Sequence, residues 1–249
     1  MEIAAGIRRL DGGMVNVYLL EEAGEVTIVD AGAPGHWKLL VTELDAMGRS
    51  FADVRALLLT HAHADHVGFA ERLRREKSVP VRVHELDTAL ARGETKPQNQ
   101  VSGSIRPLPL LRFLSFGLRH GMLRSPTPIA EVATFGDGAT LDVSGAPRVV
   151  LVPGHTEGSS ALHVPGRDTI LVGDALATLN VNTGQTGPQI APFGSDIPRA
   201  IESLSRLDGL DARLVLPGHG QPWTNGVSEA ARLARQRGLA GWRQPTGAG

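Results

Sequence analysis

The sequence predicts an α/β (α+β) fold, a four-layer αββα sandwich in which two β-sheets pack face to face and helices cover both outer faces. Two observations support this prediction. Both halves of the chain begin with short apolar or β-branched runs and continue into stretches whose apolar residues follow helical spacing. The 249 residues, 41% of them hydrophobic, can bury a sizeable core, so a single domain over residues 1–240 is expected.

The first half is predicted to begin with a β-hairpin, because two β-type runs flank a turn-like segment at 21–25. A helix follows and stops at Gly48, and a buried strand then leads into a cluster of histidines. Another helix, a strand and a short helix complete this half. The predicted elements are strands 14–20 and 26–29, helix 37–47, strand 56–59, helix 68–77, strand 79–83 and helix 85–92.

The second half repeats the order of strands before helices. Between the halves, residues 101–128 contain an apolar stretch at 108–118 with prolines on both sides, which predicts an insertion acting as a lid, a pocket wall or a dimer interface. Residues 241–249 are expected to form a flexible tail. The predicted elements are strands 129–134, 139–143, 148–152, 160–164 and 169–172, helix 198–207, strand 213–216 and helix 227–237.

Composition excludes several functional classes. With 25 basic and 26 acidic residues the net charge is −1, so no overall field gathers nucleic acid or an anionic membrane. The absence of cysteine excludes disulfides, thiolate nucleophiles and Cys-ligated zinc, leaving His, Asp and Glu as metal ligands. Neither a signal-like start nor an apolar run of ~20 residues occurs, so a cytoplasmic protein without membrane or nucleic-acid partners is expected.

Four potential metal ligands lie within six residues, directly after an apolar strand: His61, His63, Asp65 and His66. A turn at this point can aim the first two side chains at one ion and the other two at a second ion. Imidazole and carboxylate suit zinc, iron or manganese. Such a dense cluster at the end of a buried strand predicts a metal centre rather than solvated surface histidines.

Three later residues occupy a similar local setting. His155, Asp174 and His219 each follow an apolar strand and a glycine. Glycine lets the backbone bend sharply and approach an ion closely, so each turn can deliver one side chain to a common point at the sheet edge. Together with the first cluster they make seven candidate ligands.

The motifs HAHADH, PGHTEGS, VGDA and LPGHG occur in this order over almost the whole chain, and they resemble the metallo-β-lactamase superfamily. The resemblance implies the αββα fold of that family and two divalent ions per chain, zinc first, with iron or manganese as alternatives. It also implies that Asp30, in TIVDAG, orients a ligand from behind. The implied ligand sets are His61, His63 and His155 for one ion and Asp65, His66 and His219 for the other, with Asp174 bridging both.

This donor set predicts hydrolysis. Two divalent ions bring four positive charges, and Asp65, Asp174 and one bridging hydroxide remove three of them, so the site favours a developing oxyanion. Coordination lowers the pKa of water from about 15.7 towards ~7. We therefore expect a bridging hydroxide to attack the carbonyl of a small ester, lactone or thioester, with Asp65 and Asp174 as the catalytic carboxylates and Asp65 moving the proton.

The same resemblance restricts the substrate class. Asp174 argues against true β-lactamases, whose second site lacks that ligand. Quorum-quenching lactonases place a tyrosine where this chain has Ala177, and the basic glutathione-binding segment of glyoxalase II enzymes has no counterpart in 227–237. The alternatives are a mononuclear iron persulfide dioxygenase and, less favoured, a phosphodiesterase or nuclease or a non-catalytic metal-binding domain.

Several residues outside the ligand set are also expected near the site because of their positions in the sequence. Phe113 and Phe116 are expected to line an apolar pocket for a small-molecule substrate, and Leu179 and Asn182 belong to a polar rim at 179–194. A homodimer through 108–118 is the alternative. His84, which ends a predicted strand, is expected behind the ligands. Three histidines are not expected to bind metal: His36, His120 and His163.

Overall fold

The computed structural model describes residues 1–10, 12–98, 100–101, 105–122 and 126–241. Of the predicted tail 241–249, all but Gly241 lies outside the described residues, as do parts of the predicted insertion 101–128. In the described part of the chain, no helix has the length and apolar character needed to cross a membrane.

The first large sheet has seven strands in the order β1-β2-β3-β4-β5-β6-β8, and β8 comes from the predicted second half of the chain. Its first four strands are antiparallel, whereas β4, β5, β6 and β8 run parallel. The bounds are β1 (Glu2–Ala4), β2 (Ile7–Arg9), β3 (Tyr18–Glu22), β4 (Glu25–Val29), β5 (Val54–Leu58), β6 (Val81–His84) and β8 (Ala133–Phe135).

The second large sheet has the order β15-β11-β10-β9, and two small ribbons join β12 to β13 and β7 to β14. The pair β11 and β15 is parallel. The bounds are β7 (Gln100–Val101), β9 (Arg148–Leu151), β10 (Ser160–Val164), β11 (Thr169–Gly173), β12 (Ala177–Leu179), β13 (Thr186–Gln189), β14 (Phe193–Gly194) and β15 (Leu214–Pro217). The α-helices are α1 (His36–Ala46), α2 (Ala70–Lys77), α3 (Thr88–Ala91), α4 (Pro107–Arg119), α5 (Ile197–Ser203) and α6 (Val227–Gly241).

Three apolar clusters separate four layers. Because successive side chains of a strand point to opposite faces, Leu19 of β3 packs beneath α1 and α2, whereas Leu20 packs between the two sheets. In β10, Leu162 likewise enters the cluster between the sheets, while Ala161 packs towards α5 and α6. The structure therefore confirms the predicted order helix, sheet, sheet, helix.

Two strand predictions were wrong in a way that physical contacts explain. The predicted strand at 139–143 makes only an isolated bridge from Thr140 to Arg148, because tight turns with Gly145 and Ala146 at positive φ follow directly. The predicted strand at 14–20 begins only at Tyr18. The backbone N–H of Asn16 donates instead to the carbonyl of Gly218, so this segment pairs with the loop after β15 rather than with a strand of the sheet.

Candidate metal centre

The seven predicted ligands follow the ends of four strands. His61, His63, Asp65 and His66 lie in the loop after β5, and the other three lie after β9, β11 and β15. The parallel pairs β4 with β5 and β11 with β15 bring carboxyl ends to the same edge of the sandwich. The fold therefore delivers residues from distant parts of the sequence to one point.

The structure brings all seven side chains together in three overlapping groups. Nε2 of His155 lies 3.1 Å from Nε2 of His61. Nε2 of His219 lies 3.2 Å from Oδ2 of Asp65 and 3.2 Å from Oδ2 of Asp174. Within each group the candidate ligand atoms lie within 4.8 Å of one another, and the groups are His61, His63 and His155; His61, His66 and Asp174; and Asp65, His66 and His219.

Three of the histidines are held from behind through Nδ1. His155 donates from Nδ1 to the carbonyl of Phe193 at 2.6 Å, and His219 donates to the carbonyl of Met14 at 2.6 Å. Nδ1 of His66 lies 2.9 Å from the Asp30 carboxylate. Because a carbonyl or carboxylate can only accept, each of these Nδ1 atoms carries a proton, and each Nε2 points into the centre.

Asp30 also orients His61 through Thr60. The Thr60 hydroxyl donates to Oδ2 of Asp30 at 2.8 Å, so its oxygen accepts from Nδ1 of His61 at 3.1 Å. The Thr60 N–H donates to Oδ1 of the same carboxylate at 2.8 Å. Asp30 has a φ of 62°, a left-handed conformation that costs a non-glycine residue energy, and these bonds offset that cost. Through these contacts Asp30 can orient both His66, directly, and His61, through Thr60.

Two buried polar atoms of the centre have no hydrogen-bond partner among the described residues: Nε2 of His66 and Oδ1 of Asp174. They lie 3.6 Å apart, too far for a hydrogen bond between them. A buried polar atom without a partner costs free energy, and a cation coordinated by both would satisfy both. The donor set of imidazoles and carboxylates therefore fits divalent ions.

Electrostatics divide the histidines into two kinds. Burial lowers the pKa of His61 well below its usual value and that of His63 to about 3, so both are neutral imidazoles. Burial also disfavours the charged form of His66, but the carboxylates of Asp174, Asp30 and Asp65 outweigh it and raise the pKa to about 9. His219 is raised well above its usual pKa for the same reasons, Asp174 being the main carboxylate. A divalent ion would take the place of the protons that these carboxylates attract.

Sequence reasoning missed Asp87. Its buried carboxylate accepts from the N–H of Ala62 at 3.0 Å, the hydroxyl of Thr156 at 2.8 Å and the N–H of Gly158 at 2.8 Å. It thereby ties the loop after β5 to the loop after β9. The only signal in the sequence was an acidic residue soon after the end of a strand, which is common on surfaces.

His84, which was expected behind the ligands, does not contact them in the described structure. Its Nδ1 accepts from the N–H of Leu86 at 3.2 Å, and its Nε2 has no hydrogen-bond partner among the described residues. Its ring packs edge-on against Phe135. Asp87, three residues later, instead accepts from residues of the two loops that carry ligands.

Two of the four predicted pocket residues line a cavity, and the other two do not. A cavity of about 830 Å³ lies between α4 and the segment after β12, and Phe116 and Leu179 lie in its wall. Phe113 and Asn182 are not among its lining residues; the carbonyl of Asn182 accepts from the N–H of Arg106. The segment predicted as lid, wall or interface thus contributes a helix to a cavity wall, and the homodimer stays a prediction.

The three histidines not expected to bind metal lie outside the three groups. His36 and His120 are neighbours, with ring centroids 5.3 Å apart, and His120 stacks on Phe116 beside the cavity. His163 lies 2.9 Å through Nε2 from the carbonyl of Asp211. Their hydrogen bonds are therefore made with the surrounding backbone rather than with the centre.

Comparison with known proteins agrees with this geometry. The family model of the metallo-β-lactamase superfamily matches residues 10–219, which include all seven side chains of the centre. YflN of Bacillus subtilis (strain 168), described as a probable metallo-hydrolase, is 27% identical over 255 residues, covering 94% of this chain and 92% of YflN.

Solved structures give the same result. The metallo-β-lactamase family protein TTHA1429 of Thermus thermophilus has a TM-score of 0.69 and 26% identity, covering 96% of this chain and 81% of that chain. TTHA1623, solved in a di-iron-bound form, has a TM-score of 0.60 and 29% identity, covering 86% of this chain and 92% of that chain.

Proposed function

The chain belongs to the metallo-β-lactamase superfamily, and from that premise we propose that it is a dinuclear metal-dependent hydrolase of a small ester, lactone or thioester. One observation carries the proposal. Seven imidazole and carboxylate side chains converge at the edge of the sandwich, and two of their buried atoms lack any other partner in the described structure.

Asp174 is the residue that makes two adjacent sites rather than one. Its Oδ2 lies 3.5 Å from Nε2 of His155 and 3.2 Å from Nε2 of His219, and its Oδ1 lies 3.6 Å from Nε2 of His66. The carboxylate is therefore shared between the two histidine groups, which supports a bridging role. His61, His63 and His155 would hold one ion, and Asp65, His66 and His219 the other.

Bound divalent ions supply a water of lowered pKa and an electrophile for the substrate carbonyl. The protein's own contribution is orientation and proton transfer. Asp65 is the more accessible of the two carboxylates, with 17% of its side chain exposed against 6% for Asp174. We assign to Asp65 the acceptance of the proton and to Asp174 the fixed spacing of the two sites.

Zinc is proposed as the metal because histidine and carboxylate suit it. The similar protein TTHA1623 has been solved in a di-iron-bound form, so iron is the alternative identity. A mononuclear iron oxygenase acting on a persulfide would use only part of this donor set, and it is the outcome that the following experiment has to separate.

The experiment compares the wild-type protein with Asp174→Asn, each loaded with zinc, on a phenyl ester, a lactone and a thioester. We expect hydrolysis by the wild type and a loss of about 100-fold or more in Asp174→Asn. The control is Asp45→Asn, an exposed carboxylate on α1, which should keep full activity. Full activity of Asp174→Asn, or oxygen-dependent turnover of a persulfide without any hydrolysis, would overturn the proposal.

A further inference from the structure

The segment between the two halves has a charge unlike that of the rest of the chain. Residues 95–130 contain five basic side chains and no aspartate or glutamate, although the whole chain has a net charge of −1. A local excess of one sign attracts ligands of the opposite sign. The five are Lys96, Arg106, Arg112, Arg119 and Arg124.

Two of these arginines, Arg112 and Arg119 on α4, line the cavity of about 830 Å³. In the part of the chain that the structure describes, neither guanidinium forms a hydrogen bond or an ion pair. Among the described residues that line the cavity, none is acidic. A guanidinium offers a planar set of donors that suits a carboxylate or a phosphate, and no described residue occupies the donors of Arg112 or Arg119.

The rest of the cavity wall is largely apolar. Leu111 and Phe116 come from α4, while Leu179 ends β12 and Val181 follows it. Binding pockets for small organic molecules typically combine such an apolar lining with a few polar groups that fix orientation. The lining thus suits a molecule with an apolar body and an anionic end.

The cavity shares its wall with the metal centre. Met14 lines the cavity, and its carbonyl holds Nδ1 of His219 at 2.6 Å. On the other side, Thr178 precedes the lining residue Leu179 and donates its N–H to the carbonyl of His219 at 3.0 Å. A molecule in the cavity therefore lies beside the loop that presents His219.

We propose that the substrate is an anionic amphiphile, whose acyl or aryl part fills the apolar cavity and whose carboxylate or phosphate pairs with Arg112 and Arg119. This inference rests on the proposed hydrolase function, because it assigns the substrate class of the same site. The two arginines are binding residues for the part of the substrate remote from the cleaved bond.

The test measures release of p-nitrophenol from three esters of similar length: p-nitrophenyl nonanoate, which is neutral, the half-ester of azelaic acid, which ends in a carboxylate, and p-nitrophenyl 8-phosphonooctanoate. Wild-type kcat/KM should be about tenfold higher or more for a charged ester than for the neutral one, mainly through KM. Whichever charged ester is preferred identifies the anion as a carboxylate or a phosphate type. In the double variant Arg112→Gln/Arg119→Gln the ratio should fall to about one.

The matched control is Arg148→Gln, an exposed arginine on β9 that does not line this cavity, and it should keep the wild-type ratio. Hydrolysis of all three esters without any preference for charge would overturn this inference and leave the hydrolase intact. Hydrolysis of none would contradict the hydrolase instead, and calorimetric titration with nonanoate would then decide. The wild type should bind it about tenfold more tightly than the double variant, whereas equal binding overturns the inference.

A membrane surface is the competing use of these arginines, because Leu108, Leu114 and Leu118 on α4 are exposed and a basic amphipathic helix can lie on anionic lipid. Sedimentation with phosphatidylglycerol vesicles separates the two. Vesicle binding that the double variant loses, together with an unchanged ester ratio, would assign the arginines to lipid and overturn the inference.

Discussion

The Asp30 carboxylate lies 2.9 Å from Nδ1 of His66, and both side chains are almost fully buried. This contact fixes the ring so that Nε2 points into the candidate metal centre. Such carboxylate to histidine contacts set the tautomer and raise the basicity of the ligand nitrogen. A residue in this position would therefore contribute to metal affinity without touching the ion.

Replacing Asp30 with asparagine should lower the affinity for the ion held by Asp65, His66 and His219 more than the affinity for the other ion. Asparagine tolerates the positive φ of this position but removes one of the acceptor oxygens used by Thr60 and His66. We expect the affinity for the ion that His66 would hold to fall about 10- to 100-fold, and competition with a chromophoric chelator measures it. Asp45→Asn serves as the control, and unchanged affinities in Asp30→Asn would show that the contact is not needed.

Gly218 sits where a side chain cannot be accommodated. A Cβ at this position would lie 2.2 Å from Oδ1 of Asp174 and 2.7 Å from Cε1 of His66. We expect Gly218→Ala to displace both ligands and to reduce the metal content below two ions per chain, as measured by elemental analysis. Gly166→Ala is the matched control, because its added Cβ would have nothing within 4 Å and its φ is not positive. Retention of both ions in Gly218→Ala would contradict this geometry.

Asp87 should matter for stability as well as for metal binding. In Asp87→Asn the amide nitrogen cannot accept hydrogen bonds, so at least one buried donor among Ala62, Thr156 and Gly158 loses its partner. The free energy of unfolding is expected to fall by about 1–3 kcal/mol, measured by urea denaturation of the zinc-loaded protein. Affinity for the ion held by His61, His63 and His155 should also decrease, whereas His84→Gln should leave that affinity close to the wild-type value. Equal metal affinity in wild type and Asp87→Asn would show that the contacts of Asp87 with the two loops do not support metal binding.

His36 predicts a pH dependence of stability. Burial lowers its pKa from 6.5 to about 4. Its Nδ1 already accepts from the N–H of Ala33 at 2.8 Å, so a proton added to Nδ1 would face another donor and would have no acceptor. Between these two pKa values the unfolded chain binds more protons than the folded chain. The contribution is therefore present above pH 6.5 and is lost as the pH falls towards 4, with an upper limit of about 3 kcal/mol.

The measurement is the free energy of unfolding at pH 7 and at pH 5 for the wild type and for His36→Asn. Asparagine can still accept from Ala33 but does not titrate, so the decrease between the two pH values should be smaller in the variant. The other titrating groups act in both proteins and cancel in the comparison. An identical decrease in both proteins would exclude His36 as a source of the pH dependence.

The order of layers and the meeting of the seven side chains could be predicted because each has a local signal. The apolar strands precede the ligands directly, and glycines mark the turns at Gly154, Gly173 and Gly218. The roles of Asp87 and Met14 had no such signal, since Asp87 acts through backbone donors of distant loops and Met14 acts through its own carbonyl. Tertiary contacts of this kind depend on the fold as a whole, which a single sequence does not display.

The pocket was harder to predict for a related reason. Phe116 and Phe113 both belong to α4, and only the orientation of the helix decides that Phe116 lines the cavity. Arg112 and Arg119 were not singled out from the sequence, because arginines near an apolar run are ordinary on a solvated helix. The role that we propose for them depends on the cavity, whose lining residue Met14 also accepts from Nδ1 of His219.

We propose that two metal ions act together in hydrolysis, and a metal titration tests this proposal. Zinc is added in steps to metal-free protein, and hydrolysis of a p-nitrophenyl ester is measured at each step together with the bound metal per chain. We expect little activity up to one equivalent and a steep rise between one and two equivalents. Full hydrolytic activity at one equivalent, or a saturated protein with a single ion per chain, would contradict it.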